Sequence, residues 1–467
     1  MRKMPPRAWK GKDGGRRARR AEARASVRGL ALEVLSAVED GASLDRLVAD
    51  RLSAASLDIR DRSLGTHLIQ GTLRFRKYLD WGIAQYLKGN LHDLPSPIRN
   101  TLRLAFYQLL FLDRIPARAV VNEHVSLASV FGHRGTAGLV NAVLRSFLRA
   151  DRHIAIPETG DPVIRIAIET SHPEWLVRRW VGRYGEEEAR RLASANNRIP
   201  KLSVRVNQRR TTPEALAGKF ADVGIDVTPG LYGAGTLILD RPSRVSDLPG
   251  FAEGWFQVQD DSSVLVGLLA APKSGERVID LCSGVGGKTS HLADLSGGRS
   301  TVVGVDRAMW RLRKLRENCD RLGLHSVFEI CGDVAQPCVQ PSDIVVLDAP
   351  CSGTGVLARR ADARWKRREE DVLRLARLQE TLLNAASPLV KSGGHLVYSV
   401  CSLEPEECED VVRGFLKTNP EFGLHPAGEL LPEAVVDGDG CLRTLPHRHG
   451  VDGIFAARMR KVGSHIR

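Results

Sequence analysis

The chain has 467 residues, 43% of them hydrophobic and 26% charged, which is long enough for about three domains with buried cores. Lys and Arg outnumber Asp and Glu by 68 to 55, giving a net charge of +13 that favours a polyanionic partner. No apolar run reaches the roughly 18 residues of a membrane span, and no apolar stretch follows the N-terminal bases as in a secretory signal. All eight cysteines lie from Cys282 onward without a C-x-x-C pair, which argues against a disulfide scaffold, a zinc ribbon or a redox pair. We therefore expect reduced thiols and a cytoplasmic protein, with no metal and no membrane partner.

The N-terminal segment carries most of the excess charge. Residues 1–28 contain eleven bases and two acids, a net charge of +9. The segment is rich in Arg and poor in acids, as a transit peptide would be, but its prolines and glycines oppose an amphipathic helix. We expect residues 1–23 to form a disordered basic arm that binds RNA or another polyanion, with a merely solvated tail as the alternative.

Residues 24–152 have the apolar rhythm of helices. Apolar side chains recur at helical spacing over residues 98–112 and 139–148, and a similar rhythm runs from Leu64 to Leu87. Turn signals at Gly89-Asn90 and at Pro95-Ser96-Pro97 separate these segments. The pattern predicts an all-α bundle with short connections.

Residues 153–250 predict a small α+β domain. Apolar and polar residues alternate over Leu202–Val206, Thr212 precedes Pro213 as a helix N-cap would, and a second strand is predicted over Thr236–Asp240. Five bases without an intervening acid predict an RNA-facing surface, although such runs are often only solvated: Arg198, Lys201, Arg205, Arg209 and Arg210. A second basic stretch is predicted over Arg359–Arg368.

After Gly254, short apolar strands alternate with helices, which predicts an α/β sheet covered on both faces. The predicted strands are Arg277–Cys282, Thr301–Asp306, Ser326–Cys331, Asp343–Asp348, Gly394–Ser399 and Gly453–Met459. The predicted helices are Lys288–Leu295, Ala308–Leu322 and Arg368–Val390. Residues 251–462 are expected to form this domain.

A glycine-rich turn follows the first of these strands and opens a helix, a place where backbone N–H groups can meet a ligand. A phosphate-binding loop would need glycine at Cys282, and a dinucleotide fingerprint would need a third glycine at Thr289. S-adenosylmethionine is the third candidate, with Asp306 accepting hydrogen bonds from its ribose. The turn alone does not separate these cofactors.

Two motifs near the ends of later strands carry a family resemblance. Asp348-Ala349-Pro350-Cys351-Ser352-Gly353-Thr354-Gly355 precedes Cys401-Ser402-Leu403-Glu404-Pro405-Glu406-Glu407 by about fifty residues. Together with Gln257–Asp260, Arg359–Trp365 and Asp452–Phe455, they make the chain similar to the RNA 5-methylcytosine methyltransferases of the RsmB/NOL/NOP/Sun family. The resemblance implies a Rossmann-like class I methyltransferase domain that uses S-adenosylmethionine.

The resemblance also implies the roles of the site residues. Carbon 5 of cytosine is a weak nucleophile, and a thiolate that adds to carbon 6 activates it. By resemblance Cys401 is this nucleophile, Cys351 assists product release and Asp348 contacts the ring's N3. DNA cytosine methylases use a Pro-Cys like Pro350-Cys351 instead, so the assignment depends on the family. Cofactor contacts are expected from Cys282, Ser283, Gly284, Val285, Gly286, Gly287, Lys288, Asp306, Asp333 and Asp348.

The glycine turn departs from the family's usual Ala-Ala-Pro-Gly-Gly-Lys, since Ser283-Gly284-Val285 replaces its first three residues. Loss of the proline and gain of a glycine make the turn more flexible, which puts the cofactor affinity in doubt. The remaining cysteines are expected to be small buried hydrophobes: Cys319, Cys331, Cys338, Cys408 and Cys441.

The helical N-terminal part resembles the NusB-type RNA-binding domain that precedes the catalytic domain in bacterial rRNA methyltransferases of this family. The matching runs are Asp61–Arg74 and Asn141–Arg145. This domain order implies a small-subunit (16S) ribosomal RNA substrate, and we expect the protein to act as a monomer. A tRNA substrate and a non-catalytic RNA-binding or assembly factor are the alternatives.

Overall fold

The computed structural model describes residues 21–54, 57–158, 160–232, 235–240 and 244–462. They divide into two compact units, the first running up to Ala193 and including Arg364–Lys366, the second comprising the rest. All but the last three residues of the predicted basic arm (1–23) lie outside the described residues. No helix in the described ranges is long and apolar enough to cross a membrane.

The first unit is helical, as the apolar rhythm predicted for residues 24–152, and it also contains helices from the start of the segment 153–250, which was predicted as α+β. Its helices are α1 Val27–Glu39, α2 Leu44–Ala54, α3 Ile59–Arg74, α4 Arg76–Ala84, α5 Ser96–Phe111, α6 Ala117–Phe131, α7 Arg134–Arg149, α8 Pro162–Glu169, α9 Glu174–Tyr184 and α10 Glu186–Ala195, the last of which crosses into the second unit. The rhythm predicted over Leu64–Leu87 is divided at Phe75, whose ring stacks on Phe111 with centroids 4.4 Å apart. The apolar pattern continues across this break because both helices bury leucines.

A small antiparallel sheet begins the second unit. Its strands are β1 Leu202–Val206, β2 Val227–Pro229, β3 Thr236–Leu239 and β4 Phe256–Val258, in the order β2-β3-β1-β4, with helix α11 (Pro213–Ala221) between β1 and β2. Thr212 caps α11 by accepting from the Ala215 N–H at 3.2 Å, which confirms the predicted helix start. The predicted strands are present, and two short strands that the sequence did not reveal complete the sheet.

An eight-stranded sheet forms the rest of the second unit, which confirms the predicted α/β fold. Its strands are β5 Arg277–Leu281, β6 Thr301–Asp306, β7 Val327–Cys331, β8 Ser342–Asp348, β9 Val390–Val400, β10 Phe422–His425, β11 Leu442–Thr444 and β12 Ile454–Lys461. The order is β10-β12-β9-β8-β5-β6-β7, with β11 paired to β12. Strands β5 to β9 pair in parallel, whereas β12 lies antiparallel between β9 and β10.

Helices cover both faces of this sheet, and the apolar strands bury side chains on each. The helices of this unit are α12 Asp261–Ala270, α13 Gly287–Leu295, α14 Met309–Leu322, α16 Glu369–Ala386, α17 Glu409–Thr418 and the one-turn α18 Pro446–His449. The one-turn helix α15, Ala363–Lys366, precedes α16 in the chain, and its residues Arg364–Lys366 belong to the first unit. The carboxyl ends of β5, β6, β8 and β9 meet at one edge, where sheets of this kind bind ligands.

The prediction of an RNA-facing surface was wrong for Arg205, which is buried. Its side chain is 3% exposed and holds the small sheet against α13, donating to Asp294 at 2.7 Å and to Ser290 at 3.0 Å. These two partners lie more than eighty residues away in the chain, so the basic run in the sequence does not reveal them. Arg198, Lys201, Arg209 and Arg210 remain exposed.

The second predicted basic stretch is also partly buried. Arg359 forms ion pairs with Asp260 at 2.7 Å and with Asp452 at 2.6 Å. Arg364 is 1% exposed within the first unit, where it donates to the backbone carbonyl of Arg74. Burial lowers the pKa of Arg364 to about 9. These two arginines serve internal contacts.

Candidate active site

The two motif cysteines are in contact at the carboxyl edge of the large sheet. Their sulfur atoms are 3.2 Å apart, although fifty residues separate them in the chain. The hydrogen bond from Cys351 lowers the pKa of Cys401, and the same hydrogen bond together with burial raises the pKa of Cys351. These directions favour Cys351 as the proton donor of the pair and Cys401 as the sulfur more readily present as a thiolate.

The loops that carry these cysteines are held together by strand pairing and by their own hydrogen bonds. Asp348 of β8 lies opposite Ser399 of β9, so each loop leaves the sheet at the same level. The Gly355 N–H donates to the Cys401 carbonyl at 3.0 Å, and the Leu403 N–H donates to Thr354 Oγ1 at 2.9 Å. This pairing fixes the separation of the two thiols.

Asp348 joins the cysteine loops to the glycine turn. One carboxylate oxygen accepts from Lys288 Nζ at 2.7 Å, and the other accepts from Ser399 Oγ at 2.8 Å. Burial lowers the pKa of Lys288, but Asp348 outweighs it, and the net pKa lies above the usual value. Lys288 therefore remains an ammonium group beside Asp348 and close to Cys401.

The glycine turn, residues 282–288, adopts left-handed conformations that leave its backbone open. Cys282, Gly284 and Gly286 have φ values of 63°, 58° and 90°. A Cβ added at Gly284 or Gly287 would meet no atom closer than 4.0 Å, and Val285 is 44% exposed. Burial raises the pKa of the Cys282 thiol to about 12, which keeps it protonated and unreactive.

Asp306 and Asp333 follow the next two strands. Asp306 is buried and accepts from the Gly284 N–H at 3.0 Å and from the Ala308 N–H at 2.8 Å. Asp333 is half-exposed and pairs with Arg307 at 2.7 Å. Asp306 thus shapes the glycine turn in addition to any contact with a cofactor.

These residues fit S-adenosylmethionine. Ser283 Oγ is buried without a protein partner among the described residues, and the turn has open space at Gly284 and Gly287. The carboxylate of Asp306 retains lone pairs for hydroxyl groups, and the N-terminus of α13 adds backbone donors. The turn ends at Lys288, whose ammonium group is hydrogen-bonded to Asp348 at the same edge of the sheet. The replacement of the usual Ala-Ala-Pro is accommodated by Gly284 in the left-handed conformation.

Asp280, on β5 below the turn, was not singled out by the sequence. Its side chain is fully buried, Thr289 Oγ1 donates to one oxygen at 2.6 Å, and the other oxygen has no partner among the described residues. Burial raises its pKa to about 7, with Asp348 adding to the shift. A carboxyl group that is neutral over part of the physiological range therefore lies under the site.

The structure gives a role to two further motif residues, Arg359 and Gly355, that the sequence did not reveal. Arg359, bound to Asp260 and Asp452, ties the loop after Cys351 to the start of β12. Next to this ion pair, the Gly453 N–H donates to the Gly355 carbonyl at 2.8 Å, and a Cβ at Gly355 would lie 2.1 Å from the Gly453 oxygen. Only glycines allow this close approach of the two loops.

The other cysteines divide into two groups. Cys319, Cys408 and Cys441 are buried, as predicted. The prediction was wrong for Cys331 and Cys338, which are exposed because one ends the edge strand β7 and the other lies in the loop after it. In the part of the chain that is described, no three His, Cys, Asp or Glu side chains are placed to hold a metal ion.

Comparisons with known proteins match the whole organisation of the chain. The NusB family matches residues 25–149, the ferredoxin-like domain of RsmF/B-like methyltransferases matches 172–246, and 16S rRNA methyltransferase RsmB/F matches 267–460. The probable ribosomal RNA small subunit methyltransferase B of Bacillus subtilis is 36% identical, covering 94% of this chain and 99% of its own. Ribosomal RNA small subunit methyltransferase B of Pseudomonas putida is 35% identical, covering 93% and 98%. The crystal structure of PH0851 has a TM-score of 0.79 at 26% identity, covering 95% of this chain and 99% of that one.

Proposed function

The chain belongs to the RsmB/F family of 16S rRNA methyltransferases, and on that premise we propose that it methylates carbon 5 of a cytosine in small-subunit ribosomal RNA. It is an S-adenosylmethionine-dependent rRNA methyltransferase. The observation that carries the finer proposal is the 3.2 Å contact between the Cys351 and Cys401 sulfurs beside Asp348. Two thiols and a carboxylate at one point suit addition to a cytosine ring and elimination from it.

Cys401 starts the reaction. Its thiolate adds to carbon 6, forming a C–S bond and moving the electrons of the carbon 5–carbon 6 double bond towards N3 and carbon 5. The hydrogen bond from Cys351 and the nearby Lys288 ammonium favour the thiolate before the addition.

Asp348 faces the edge of the ring that gains electrons in this addition. We propose that it contacts N3, with Lys288 bonded to it as the neighbouring source of a proton, so that negative charge on the ring is neutralised. S-adenosylmethionine supplies the methyl group that carbon 5 then accepts. The glycine turn and Asp306 would hold this cofactor on the side of the sheet edge that adjoins Lys288.

Cys351 serves the last step. The carbon 5 proton passes to solvent, its C–H electrons re-form the carbon 5–carbon 6 double bond, and the C–S bond breaks to give back the Cys401 thiolate. The Cys351 thiol is placed to donate to this departing sulfur, because the two sulfur atoms already lie 3.2 Å apart in the free protein. We propose that this hydrogen bond assists product release.

The substrate can be identified by bisulfite sequencing of ribosomal RNA and tRNA from a strain lacking the gene. Loss of one methylcytosine from the small-subunit RNA is the expected result. An unchanged small-subunit pattern would contradict the proposal, and a loss confined to tRNA would point to a different substrate for the same chemistry.

The roles of the two thiols can be separated by trapping. Cys351→Ala is expected to accumulate a covalent RNA adduct that survives a denaturing gel, because elimination is slowed while addition continues. Cys401→Ala should give none. An adduct in Cys401→Ala and none in Cys351→Ala would reverse the assignment.

We also propose that the chain acts as a cytoplasmic monomer, with residues 24–152 and 153–250 binding RNA and residues 251–462 catalysing the transfer. The exposed bases Arg198, Lys201, Arg209 and Arg210 support an RNA contact in the second of these segments.

A further inference from the structure

Glu407, the last residue of the second cysteine motif, is a carboxylate with no exposed surface. One oxygen accepts from the Ser352 N–H at 2.8 Å and from Gln379 Nε2 at 3.0 Å. The other accepts from Ser402 Oγ at 2.5 Å and from Ser352 Oγ. Its hydrogen bonds therefore join both cysteine loops and helix α16.

All of these donors are neutral. A buried carboxylate without a cationic partner is costly, and a neutral glutamine of the same shape would reduce that cost. The four hydrogen bonds offset the burial of the carboxylate but do not explain why a charge stands there. A function that needs the negative charge or its acceptor geometry would explain it.

The positions of the donors show what Glu407 restrains. Ser352 directly follows Cys351, and Ser402 directly follows Cys401. Consecutive Cα atoms are about 3.8 Å apart, so an anchor on each serine limits the movement of each neighbouring thiol. Gln379 extends the same anchor, since its Nε2 also donates to the Pro350 carbonyl at 2.9 Å.

The Glu407 carboxylate also acts on the Cys351 thiol. The hydrogen bond with Cys401 and burial raise the pKa of Cys351, and the Glu407 carboxylate adds to that shift. For Cys401, the principal influences are the hydrogen bond from Cys351, burial, Asp348 and Lys288. The carboxylate thus helps to keep the proton on Cys351.

We propose that Glu407 is a positioning residue for the methyl transfer, whose buried carboxylate fixes the two cysteine loops so that Cys351 donates to Cys401 and Cys401 alone acts as the nucleophile. This inference rests on the proposed function for the assignment of the nucleophile. Glu407 itself touches neither RNA nor cofactor in this account. It acts through Ser352 and Ser402.

The test compares Glu407→Gln with Glu380→Gln in the full-length protein. Glu380 is exposed on α16 beside Gln379, so its substitution makes the same charge change outside the network. Each protein is characterised by its melting temperature, its Kd for S-adenosylmethionine, and its single-turnover rate and KM with ribosomal RNA. The modification of Cys351 and Cys401 by iodoacetamide is also followed by mass spectrometry without RNA, with exposed Cys331 and Cys338 as internal references.

For Glu407→Gln we expect an unchanged or higher melting temperature and an unchanged Kd for the cofactor. The single-turnover rate should fall by on the order of 10²-fold with little change in KM, as for a misplaced reacting group. The preference of iodoacetamide for Cys401 over Cys351 should fall by about tenfold. Glu380→Gln should match the wild type in every measurement.

Two results would overturn the proposal. One is a Glu407→Gln protein with wild-type rate and wild-type cysteine preference. The other is a parallel loss of melting temperature, cofactor affinity and rate, which would make Glu407 merely structural. If Glu407→Gln does not fold, Ser402→Ala, which removes one donor, must show a smaller change of the same kind. Failure of the wild type to methylate ribosomal RNA would instead refute the proposed function, because the iodoacetamide measurement needs no RNA.

Discussion

The glycine turn and the cysteine loops lie at the same edge of one sheet, but they use their polar groups in opposite ways. In the turn, Gly284 and Gly287 face open space and Ser283 Oγ is buried without a protein partner among the described residues. In the cysteine loops, Ser352 and Ser402 bond to Glu407, and Gly355 bonds to both Cys401 and Gly453. The turn has room for a ligand, whereas the polar groups of the cysteine loops are already hydrogen-bonded to other groups of the protein.

This difference matches what each region must do. A cofactor has to enter and leave at every turnover, so its donors and acceptors must be available to it. A thiol that forms a covalent bond must already be placed to within a fraction of an ångström, so its loop is anchored by the protein. Changes in the loops should therefore affect turnover, and changes in the turn should affect affinity.

Cys401→Ser should give the largest effect, a loss of turnover of about 10⁴-fold or more, because a serine hydroxyl is a far weaker nucleophile than a thiolate. The Kd for S-adenosylmethionine should stay at the wild-type value. Methyl incorporation into ribosomal RNA measures the first quantity and calorimetry the second. Cys331→Ser, at an exposed position, is the control. Turnover within tenfold of the wild type would contradict the conclusion that the cysteine loops determine turnover.

Asp280→Asn should change how stability depends on pH. The pKa of Asp280 is about 7 in the folded protein and about 3.8 when unfolded, so the folded state holds the extra proton between these values. The free energy of unfolding of the wild type should therefore fall, relative to that of the variant, as pH rises from about 4 to 7, by a few kcal/mol. Denaturant unfolding of both proteins across this range measures the difference. A difference that does not vary with pH would contradict the raised pKa.

Asp306→Asn should weaken cofactor binding by about tenfold to a hundredfold while the rate at saturating cofactor stays within a few-fold. The amide retains one acceptor but loses the charge that holds the Gly284 and Ala308 N–H groups. Asp320→Asn, exposed on α14, is the matched control. A fall in the saturated rate without loss of affinity would place Asp306 with the catalytic loops instead.

Gly284→Ala should give the smallest effect. A non-glycine residue at a φ of 58° costs about 1 kcal/mol, so the melting temperature should fall by about 2 to 4 °C and the cofactor Kd should rise a few-fold. Gly414→Ala, at an exposed position in the middle of helix α17, should instead raise stability slightly. If the two variants behave alike, the turn is less restricted by its backbone than its φ values indicate.

The sequence predicted those parts of the fold that depend on local periodicity. The parallel strands β5 to β9 and the helices between them follow from apolar runs of regular length, and Thr212 was recognisable as a helix cap. Strands β2 and β4 were missed because three residues are too few to show an alternation. The division at Phe75 was missed because leucines are buried on both sides of it.

The site was predictable as a set of residues but not as an arrangement. The motifs identified Cys351, Cys401 and Asp348, since each stands where a strand ends. The burial of Arg205, the ion pairs of Arg359 and the hydrogen bonds of Glu407 each depend on partners from elsewhere in the fold, which no spacing reveals. The exposure of Cys331 depends on β7 lying at the edge of the sheet.

The position of β12 bears on how the enzyme comes into being. This strand is made after every other strand of its sheet, yet it pairs beside β9, and the glycine at its start bonds to the loop that follows Cys351. During synthesis, β9 and the Cys401 loop leave the ribosome while one side of β9 is still unpaired. Strands β8 and β9 can therefore bring the two thiols together first, and β12 then adds the contact between Gly453 and Gly355 that closes the loop after Cys351.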